Sequence, residues 1–461
     1  MPEIRLEDTI AAVSTPIGEG GISVIRISGP GAFDLAARIF HPAQKEDVRS
    51  YSSHTIHLGE VRDEGKTLDK VLVSAFRSPH SYTGENVIEI SGHGGLAVTR
   101  RVLDLLVQKG ARHADPGEFT KRAFLNGKID LAQAEAVLDL IKAKSDRALE
   151  TAVSHLTGSL SRSFKALKEE LMYLYAHMEA FLDFPDEHLE VYSDKEFSNR
   201  LGMVREKIEN LIASFRRGSL IREGLVVVIV GKPNVGKSSL FNALLARDRA
   251  LVSEFPGTTR DRLEEAITID GFLIRLVDTA GLIPDAGHPL DRMGVENTRR
   301  IFTEAQIFLY VTDGSEPLTK EDRLAYQEIE KDKVVIPLVN KSDLPVKMDL
   351  AEFSHMSGAY VSISTTTREG LEELEKKIGE SIRQRCPENE SEQITRLRHK
   401  NTLESALEAL RRAQKAFSAE EPLELVIEDL KDALDGLREL IGEIYSEDLL
   451  DVIFSEFCIG K

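Results

Sequence analysis

The run Leu225-Val-Val-Val-Ile-Val230, followed at once by Gly231-Lys-Pro-Asn-Val-Gly-Lys-Ser238, constrains this chain more than any other stretch. Six consecutive apolar residues suit a strand buried on both faces of a parallel sheet. The pattern G-x-x-x-x-G-K-[ST] behind such a strand, with the amphipathic Ser239-Leu-Phe-Asn-Ala-Leu-Leu245 after it, is a phosphate cradle. Backbone N–H groups of Asn234, Val235, Gly236, Lys237, Ser238 and Ser239 line it. Lys237 is placed to reach the β- and γ-phosphates, and the Ser238 hydroxyl to ligate Mg²⁺.

A second apolar strand, Lys333-Val-Val-Ile-Pro-Leu-Val339, leads into Asn340-Lys341-Ser342-Asp343. A carboxylate at Asp343 accepts from guanine N1–H and the exocyclic amine while Asn340 faces N7; adenine presents the opposite donor pattern there. Between these motifs lie Gly257-Thr258-Thr259-Arg260-Asp261, where Thr259 completes the Mg²⁺ shell, and Asp278-Thr279-Ala280-Gly281, a D-x-x-G. Four motifs in this order imply that the chain binds and hydrolyses GTP.

At 461 residues the chain has room for two or three domains. Lys plus Arg is 59 against Asp plus Glu 77, a formal charge of −18, which argues against indiscriminate electrostatic grip on nucleic acid. Cys386 and Cys458 are too far apart for a C-x-x-C metal pair, and such sparing use points to a reducing compartment. No apolar run approaches a membrane span, and Met1-Pro-Glu-Ile-Arg-Leu-Glu-Asp8 is not a signal peptide. The expectation is a soluble cytoplasmic protein.

From Thr9 to about Lys128, β-rich pieces alternate with glycine turns: Gly21–Ser28, Leu68–Phe76 and Glu85–Gly95. A helix over Leu96–Lys109 follows, with Val98, Val102, Leu105 and Leu106 on one face and Gly110 as its stop. This is an α+β domain. Long helical stripes come next, through Leu131, Ala134, Val137, Leu138 and Ile141, then through Leu160, Phe164, Leu167, Leu171, Leu174, Met178 and Phe181. Asp183-Phe-Pro-Asp-Glu187 breaks the second, and a third helix runs from about Asp194 to Phe215. Beyond Pro387 two more stripes follow, from Leu403 to Phe417 and from Val426 to Ile444. Helices on both sides of a complete α/β domain read as one helical domain carrying an inserted nucleotide domain. Within the insert, Asp270-Gly271 marks a type I′ hairpin that delivers Asp278.

The position after Gly281, where Ras-like proteins carry a water-orienting glutamine, is Leu282, which cannot hydrogen-bond water. Arg260 is a candidate arginine finger. The side-chain carbonyl of Asn234 could hold a monovalent cation beside the phosphates; it could equally cap or brace the loop.

The phosphate loop, Gly-Thr-Thr-Arg-Asp261, the stretch Pro116-Gly-Glu-Phe-Thr-Lys-Arg-Ala-Phe-Leu-Asn-Gly-Lys128, Asp-Phe-Pro-Asp-Glu187 and the terminal Cys458-Ile459-Gly460-Lys461 together resemble the MnmE (TrmE) family over the whole chain. The resemblance implies a multidomain α/β protein: an N-terminal α+β tetrahydrofolate-binding and dimerisation domain (1–128), a helical domain in two parts (129–222 and 386–461), and an inserted Ras-like P-loop GTPase domain (223–385). It implies a homodimer that works with the flavoprotein MnmG on tRNA, adding a carboxymethylaminomethyl-type group at C5 of the wobble uridine. The one-carbon unit is associated with a tetrahydrofolate derivative, 5-formyl or methylene, contacted by Arg26, Glu89, Lys128 and Lys461.

The resemblance further implies K⁺-dependent pairing of G domains, with Asn234, Ser253, Phe255 and Thr258 on the cation. The whole loop Ser253, Glu254, Phe255, Pro256, Gly257, Thr258 wraps the cation by its backbone carbonyls. The family's water-orienting glutamate falls at Asp291, one methylene shorter, with Glu296 as a fallback. Ser364-Thr365-Thr366 stands where the family has Ser-Ala behind guanine. Cys458 is implied in the modification chemistry, as nucleophile or acid/base; read from residues alone it could instead be a small buried hydrophobe. His93, between glycines, is a base or a structural hydrogen bonder. A ribosome-assembly GTPase would share the nucleotide core but usually adds a basic RNA-binding appendage, which this acidic chain lacks.

Overall fold

The computed structural model describes residues 8–183, 194–248, 264–278, 300–327, 329, 333–386 and 392–461. By contacts the chain divides into two compact units: Met1–Leu138 with His155–Phe184 and Ile427–Lys461, and Asp139–Ser154 with Pro185–Val426.

The first unit opens with β1 (Ile10–Val13), β2 (Gly20–Ser28), α1 (Ala32–Ile39), β3 (Phe40–Pro42), β4 (Thr55–Asp63), β5 (Lys66–Phe76), β6 (Val87–Gly94), α2 (Leu96–Gln108) and β7 (Arg112–His113). They form one sheet in the order β3-β4-β5-β6-β2-β1-β7, antiparallel except for β1 with β7. The inward residues Ile25, Ile27, Val71, Val73, Ile88 and Ile90 pack under Leu35, Ile39, Val102, Leu105 and Leu106 of the two helices. Alternation along each strand makes this a one-sided core. On the other face Leu58 stands directly across from Leu72, and both, with Ile56, are exposed. As expected, α2 ends at a glycine: Gly110 takes φ +114.

The rest of the unit is helical, beginning with α3 (Glu118–Leu125) and α4 (Leu131–Lys142). After α5 (Asp146–Leu156), which up to Ser154 belongs to the second unit, comes α6 (Ser159–Asp183), whose Leu160, Phe164, Leu167, Leu171, Leu174 and Met178 are all buried. Residues at three- and four-residue spacing fall on one face, which is the stripe the periodicity predicts.

In the second unit α7 (Asp194–Glu223) leads directly into β8 (Leu225–Val230). The helix runs past Phe215, where the sequence reading ends it, and Gly218 within the added length is a packing site. A Cβ there would lie 2.3 Å from the Ile394 carbonyl oxygen. Then follow α8 (Lys237–Asp248), β9 (Glu264–Ile269), β10 (Phe272–Asp278), β11 (Ile307–Asp313), α9 (Lys320–Gln327), β12 (Val334–Asn340), α10 (Leu350–Ser357), β13 (Val361–Ser362) and α11 (Leu371–Arg385). Strand order is β13-β12-β11-β8-β10-β9, parallel but for the β9–β10 hairpin. At the hairpin tip Asp270 and Gly271 both have positive φ (52° and 76°), as a type I′ turn requires.

Strand β8 shows why an unbroken apolar run was needed. Val227 and Ile229 enter one core with Leu240, Leu244 and Leu374, while Val226, Val228 and Val230 enter another with Phe308, Tyr310 and Phe353. Both faces are buried. Its neighbours β10 and β11 lie on opposite sides, so the order reverses at β8, and loops leaving the carboxyl ends there frame a ligand crevice. The chain continues with α12 (Leu397–Ser418), antiparallel in sequence order to its packing partner α7 through pairs such as Arg205–Gln414 and Phe197–Phe417. Finally α13 (Leu423–Ile441) and α14 (Glu447–Ser455) precede the tail. Among the described residues no helix is long and apolar enough to cross a membrane.

Candidate functional site

The phosphate loop leaves β8 in a conformation that explains its composition. Gly231 and Gly236 have φ of 151° and 98°, and side chains there would strike Val311 O at 2.3 Å and Asn340 Nδ2 at 2.3 Å. Asn234 is left-handed (φ 63°) and exposed. Its side chain makes no hydrogen bond among the described residues. Val235 is buried in the core beneath, and Ser239 is exposed on the first turn of α8.

Lys237 is buried, and its ammonium donates to the carbonyls of Gly231 (3.0 Å) and Lys232 (2.9 Å). Burial holds its pKa below the usual lysine value, with the Asp278 charge opposing the shift. The Ser238 hydroxyl donates to Asp278 Oδ2 at 2.7 Å. A hydroxyl and a carboxylate converging at a helix start are the oxygen donors that a hard divalent cation takes.

On the base side, Asn340 ends β12 and is fully enclosed. Its amide donates to Val235 O at 2.8 Å, and its Oδ1 accepts from the Thr365 backbone at 3.3 Å. Its chief visible work is therefore to clamp the phosphate loop to the loop after β13. Asp343 is exposed, with Oδ1 fixed by the Ser364 hydroxyl at 2.6 Å. Ser364 also accepts from Thr367 N–H at 3.1 Å, which shapes the 364–367 turn. Lys341 takes φ 65° and pairs with Asp313 at 2.5 Å. Burial would raise the Asp313 carboxyl, but bonds from Lys341 and Ser315 outweigh it and hold the pKa below the usual carboxylate range. Asp313 was missed in the sequence, although a carboxylate closing the apolar run of β11 before Gly314 was a readable signal.

Ser253, Glu254, Phe255, Pro256, Gly257, Thr258, Thr259, Arg260, Thr279, Ala280, Gly281, Leu282, Asp291 and Glu296 lie outside the described residues.

In the first unit, Arg26 and Glu89 are register partners on β2 and β6 and form an ion pair at 2.8 Å. The guanidinium lies 5.2 Å from the Tyr82 ring centroid and 5.6 Å from that of Phe119. Tyr82 OH meets Thr120 Oγ1 at 2.9 Å. Lys128 is held apart from this pair, donating to Pro79 O at 3.0 Å.

The start of α3 receives the C-terminal tail. Gly117 N–H points at Cys458 O (3.5 Å), Phe119 N–H donates to Lys461 O (3.2 Å), and Pro116 and Ile459 form an antiparallel bridge. The unsatisfied N–H groups of a helix start are natural partners for the tail carbonyls. Phe454 and Phe457 anchor the approach among Phe124, Leu131 and Leu138. The Cys458 side chain is exposed, which removes the buried-hydrophobe reading. Cys386, in contrast, is buried in the nucleotide-domain core.

Beneath α3 sits a buried charge network. Arg122, fully enclosed, pairs with Asp8 (2.5 Å), Glu85 (3.1 Å) and Glu118 (2.9 Å), and Glu118 also takes Arg112 at 2.5 Å. Burial would raise the Glu118 carboxyl, but Arg112, the Asp115 N–H and Arg122 together pull it below the usual range. His93 is held by Asp69 through Nδ1 (2.6 Å) and its own N–H (2.8 Å), the structural bonding that was one of its two readings.

Comparison with known proteins covers both units. A family model described as "GTP-binding protein TrmE N-terminus" matches residues 9–128, and one described as "MnmE helical domain" matches 131–458. Curated relatives named "tRNA modification GTPase MnmE" align nearly end to end. That of Carboxydothermus hydrogenoformans is 42% identical over 99% of this chain and 100% of its own, and that of Moorella thermoacetica 46% over 99% and 100%. That of Acetivibrio thermocellus is 42% identical over 99% of each. A guanine-nucleotide core, a tail seated on α3 and relatives matched along their whole length lead to one assignment: the chain belongs to the MnmE (TrmE) family of tRNA modification GTPases.

Proposed function

We propose that this GTPase acts with the flavoprotein MnmG to install an aminomethyl-type group, such as carboxymethylaminomethyl, at C5 of the wobble uridine of certain tRNAs. The observation that carries the proposal is the seating of Cys458–Lys461 on α3. Phe119 takes the tail's last carbonyl with its N–H, and its ring lies 5.6 Å from the Arg26 guanidinium, so one residue connects the tail that bears an exposed thiol to the Arg26–Glu89 pair. A tail held in this way serves chemistry beside that pair better than it serves a nucleotide switch alone.

A reduced folate, 5-formyl- or methylene-tetrahydrofolate, fits the donor set there. Glu89, oriented by Arg26, offers a carboxylate to a pterin amidine edge, Tyr82 offers an aromatic face, and Lys128 and Lys461 offer cations to a glutamate tail. Bound, it supplies the one-carbon unit. Cys458 would be the group of this chain nearest the chemistry, working at its exposed sulfur.

In the nucleotide domain, Ser238 and Asp278 would hold Mg²⁺, joined by Thr259, and Lys237, kept in place by the Gly231 and Lys232 carbonyls, would turn its third N–H to the phosphates. The unengaged Asn234 amide supports a K⁺ site completed by Ser253, Phe255 and Thr258 on pairing of two G domains, with Asp291 orienting water. The exposed sheet face bearing Ile56, Leu58 and Leu72 supports a homodimer formed through domain 1–128. We assign the remaining division as before, 129–222 and 386–461 helical around 223–385, and place the work with tRNA in the cytoplasm.

The test is mass spectrometry of wobble nucleosides in tRNA from cells lacking the chain, complemented with wild type or Cys458→Ser. Loss of C5-modified uridine, restored by wild type alone, is the expected result. Persistence of the modification without the chain sinks the proposal. GTP turnover is expected to be far faster in K⁺ than in Na⁺, with Asn234→Ala abolishing the difference.

A further inference from the structure

Lys232, the second residue of the phosphate loop, has no role in the reading above, yet its side chain is committed. Its ammonium reaches Asp322 Oδ2 at 3.3 Å and Glu316 Oε2 at 3.3 Å. Asp322 is itself a fixed object. It is 1% exposed, accepts from the Thr319 N–H (2.8 Å) and hydroxyl (2.6 Å) at the start of α9, and lends its backbone carbonyl to Tyr310 OH at 2.7 Å. Its other oxygen, Oδ1, has no hydrogen-bond partner among the described residues. A buried carboxylate so placed depends on the one cation beside it.

The main-chain carbonyl of the same Lys232 accepts the Lys237 ammonium. Two ends of one residue are thus tied, the side chain to α9 and the carbonyl to the lysine that must meet the phosphates. Pro233 follows, so the peptide that carries this carbonyl has no N–H of its own to tie the loop at that point.

We propose that Lys232 is a positioning residue for the nucleotide phosphates, acting through its own carbonyl on Lys237, with Asp322 and Glu316 as its anchor. The inference rests on the guanine-nucleotide reading of this site. It makes phosphate affinity depend on Asp322 and Glu316, which lie outside the four nucleotide motifs.

The test is binding of a fluorescent GDP analogue to the full chain, with steady-state GTP turnover alongside. Lys232→Met, which keeps length and removes charge, is expected to weaken GDP by roughly tenfold, the loss of one charge-assisted contact. KM for GTP should rise while kcat falls less, and Lys232→Arg should regain most of the affinity. Asp322→Asn should weaken GDP as well, and Lys232→Met/Asp322→Asn should cost less than the two singles combined. Wild-type GDP affinity in Lys232→Met, or no recovery in Lys232→Arg, overturns the proposal. If Lys232→Met does not fold, Glu316→Gln, at an exposed carboxylate, decides: unchanged GDP affinity in both it and Asp322→Asn is equally fatal. Failure of the wild-type chain to bind GDP would overturn the nucleotide reading instead.

Discussion

The hydroxyl of Ser14 donates to the backbone carbonyl of Gly460 at 3.0 Å, joining residues 446 positions apart. Gly460 takes φ 96°, and a Cβ there would lie 2.1 Å from Val13 O. Any side chain at 460 must lift the tail from its seat. Gly460→Ala is expected to cost about 1–2 kcal/mol from the left-handed backbone alone. The amides of Gly117 and Phe119 should then lose protection in hydrogen exchange while the rest of α3 keeps it.

The two thiols should separate cleanly. Cys458 is exposed; Cys386 is 3% exposed, and burial pushes its thiol pKa up against the pull of Arg217 and Arg385. Native protein should give up one thiol to Ellman's reagent promptly and the second only in denaturant. Cys458→Ser should abolish the fast phase.

Acid should attack the network under α3. The Glu118 carboxyl is depressed in the folded state, so its contribution is complete above the unfolded carboxylate range and is lost as pH falls through the lower folded value. Asp8 is depressed as well: burial raises it, but Arg112 and Arg122 outweigh that. Denaturant unfolding should show stability falling steeply below about pH 4. Glu118→Gln, which takes one of three carboxylates from the enclosed Arg122 and leaves Asp8 and Glu85, should cost about 1–3 kcal/mol at neutral pH and flatten that slope.

Base choice should follow Asp343 and not Asn340. Asp343→Asn exchanges an acceptor pair for a donor and an acceptor, which should cost GTP about 3 kcal/mol or more and favour xanthine nucleotides. Asn340→Ala should weaken all nucleotides, because its amide holds Val235 O and Thr365 N. Competition binding with GDP and XDP distinguishes the two outcomes.

Much of this was legible in the sequence for a local reason. The phosphate loop, the Asp270–Gly271 turn and the α6 stripe each declare themselves within a short window. What stayed hidden depends on partners distant in sequence. Strand β4 could not be read because its alternation is regular in burial but not in chemistry: the outward positions carry apolar Ile56 and Leu58, and one of the buried positions is Gly59. The end of α7 lies past Phe215 where its packing partner is distant in sequence: the Ile394 backbone is laid against Gly218. The seat of the tail is built mainly from backbone groups, and backbone groups leave no pattern in side chains. The Asn340 clamp is invisible for a different reason: the motif predicts contact with a base, and the bonds that matter run to two other loops.

That clamp bears on how such a protein can diverge. Gly236 leaves no space for a side chain because Asn340 Nδ2 occupies it at 2.3 Å, so the phosphate loop and the base loop are fitted to each other like a lock's two wards. A change in either alone disables nucleotide holding before it can alter preference. Drift toward another base therefore has one open road, through the exposed carboxylate at Asp343, while insertions can accumulate in the connections between the loops without touching the fit.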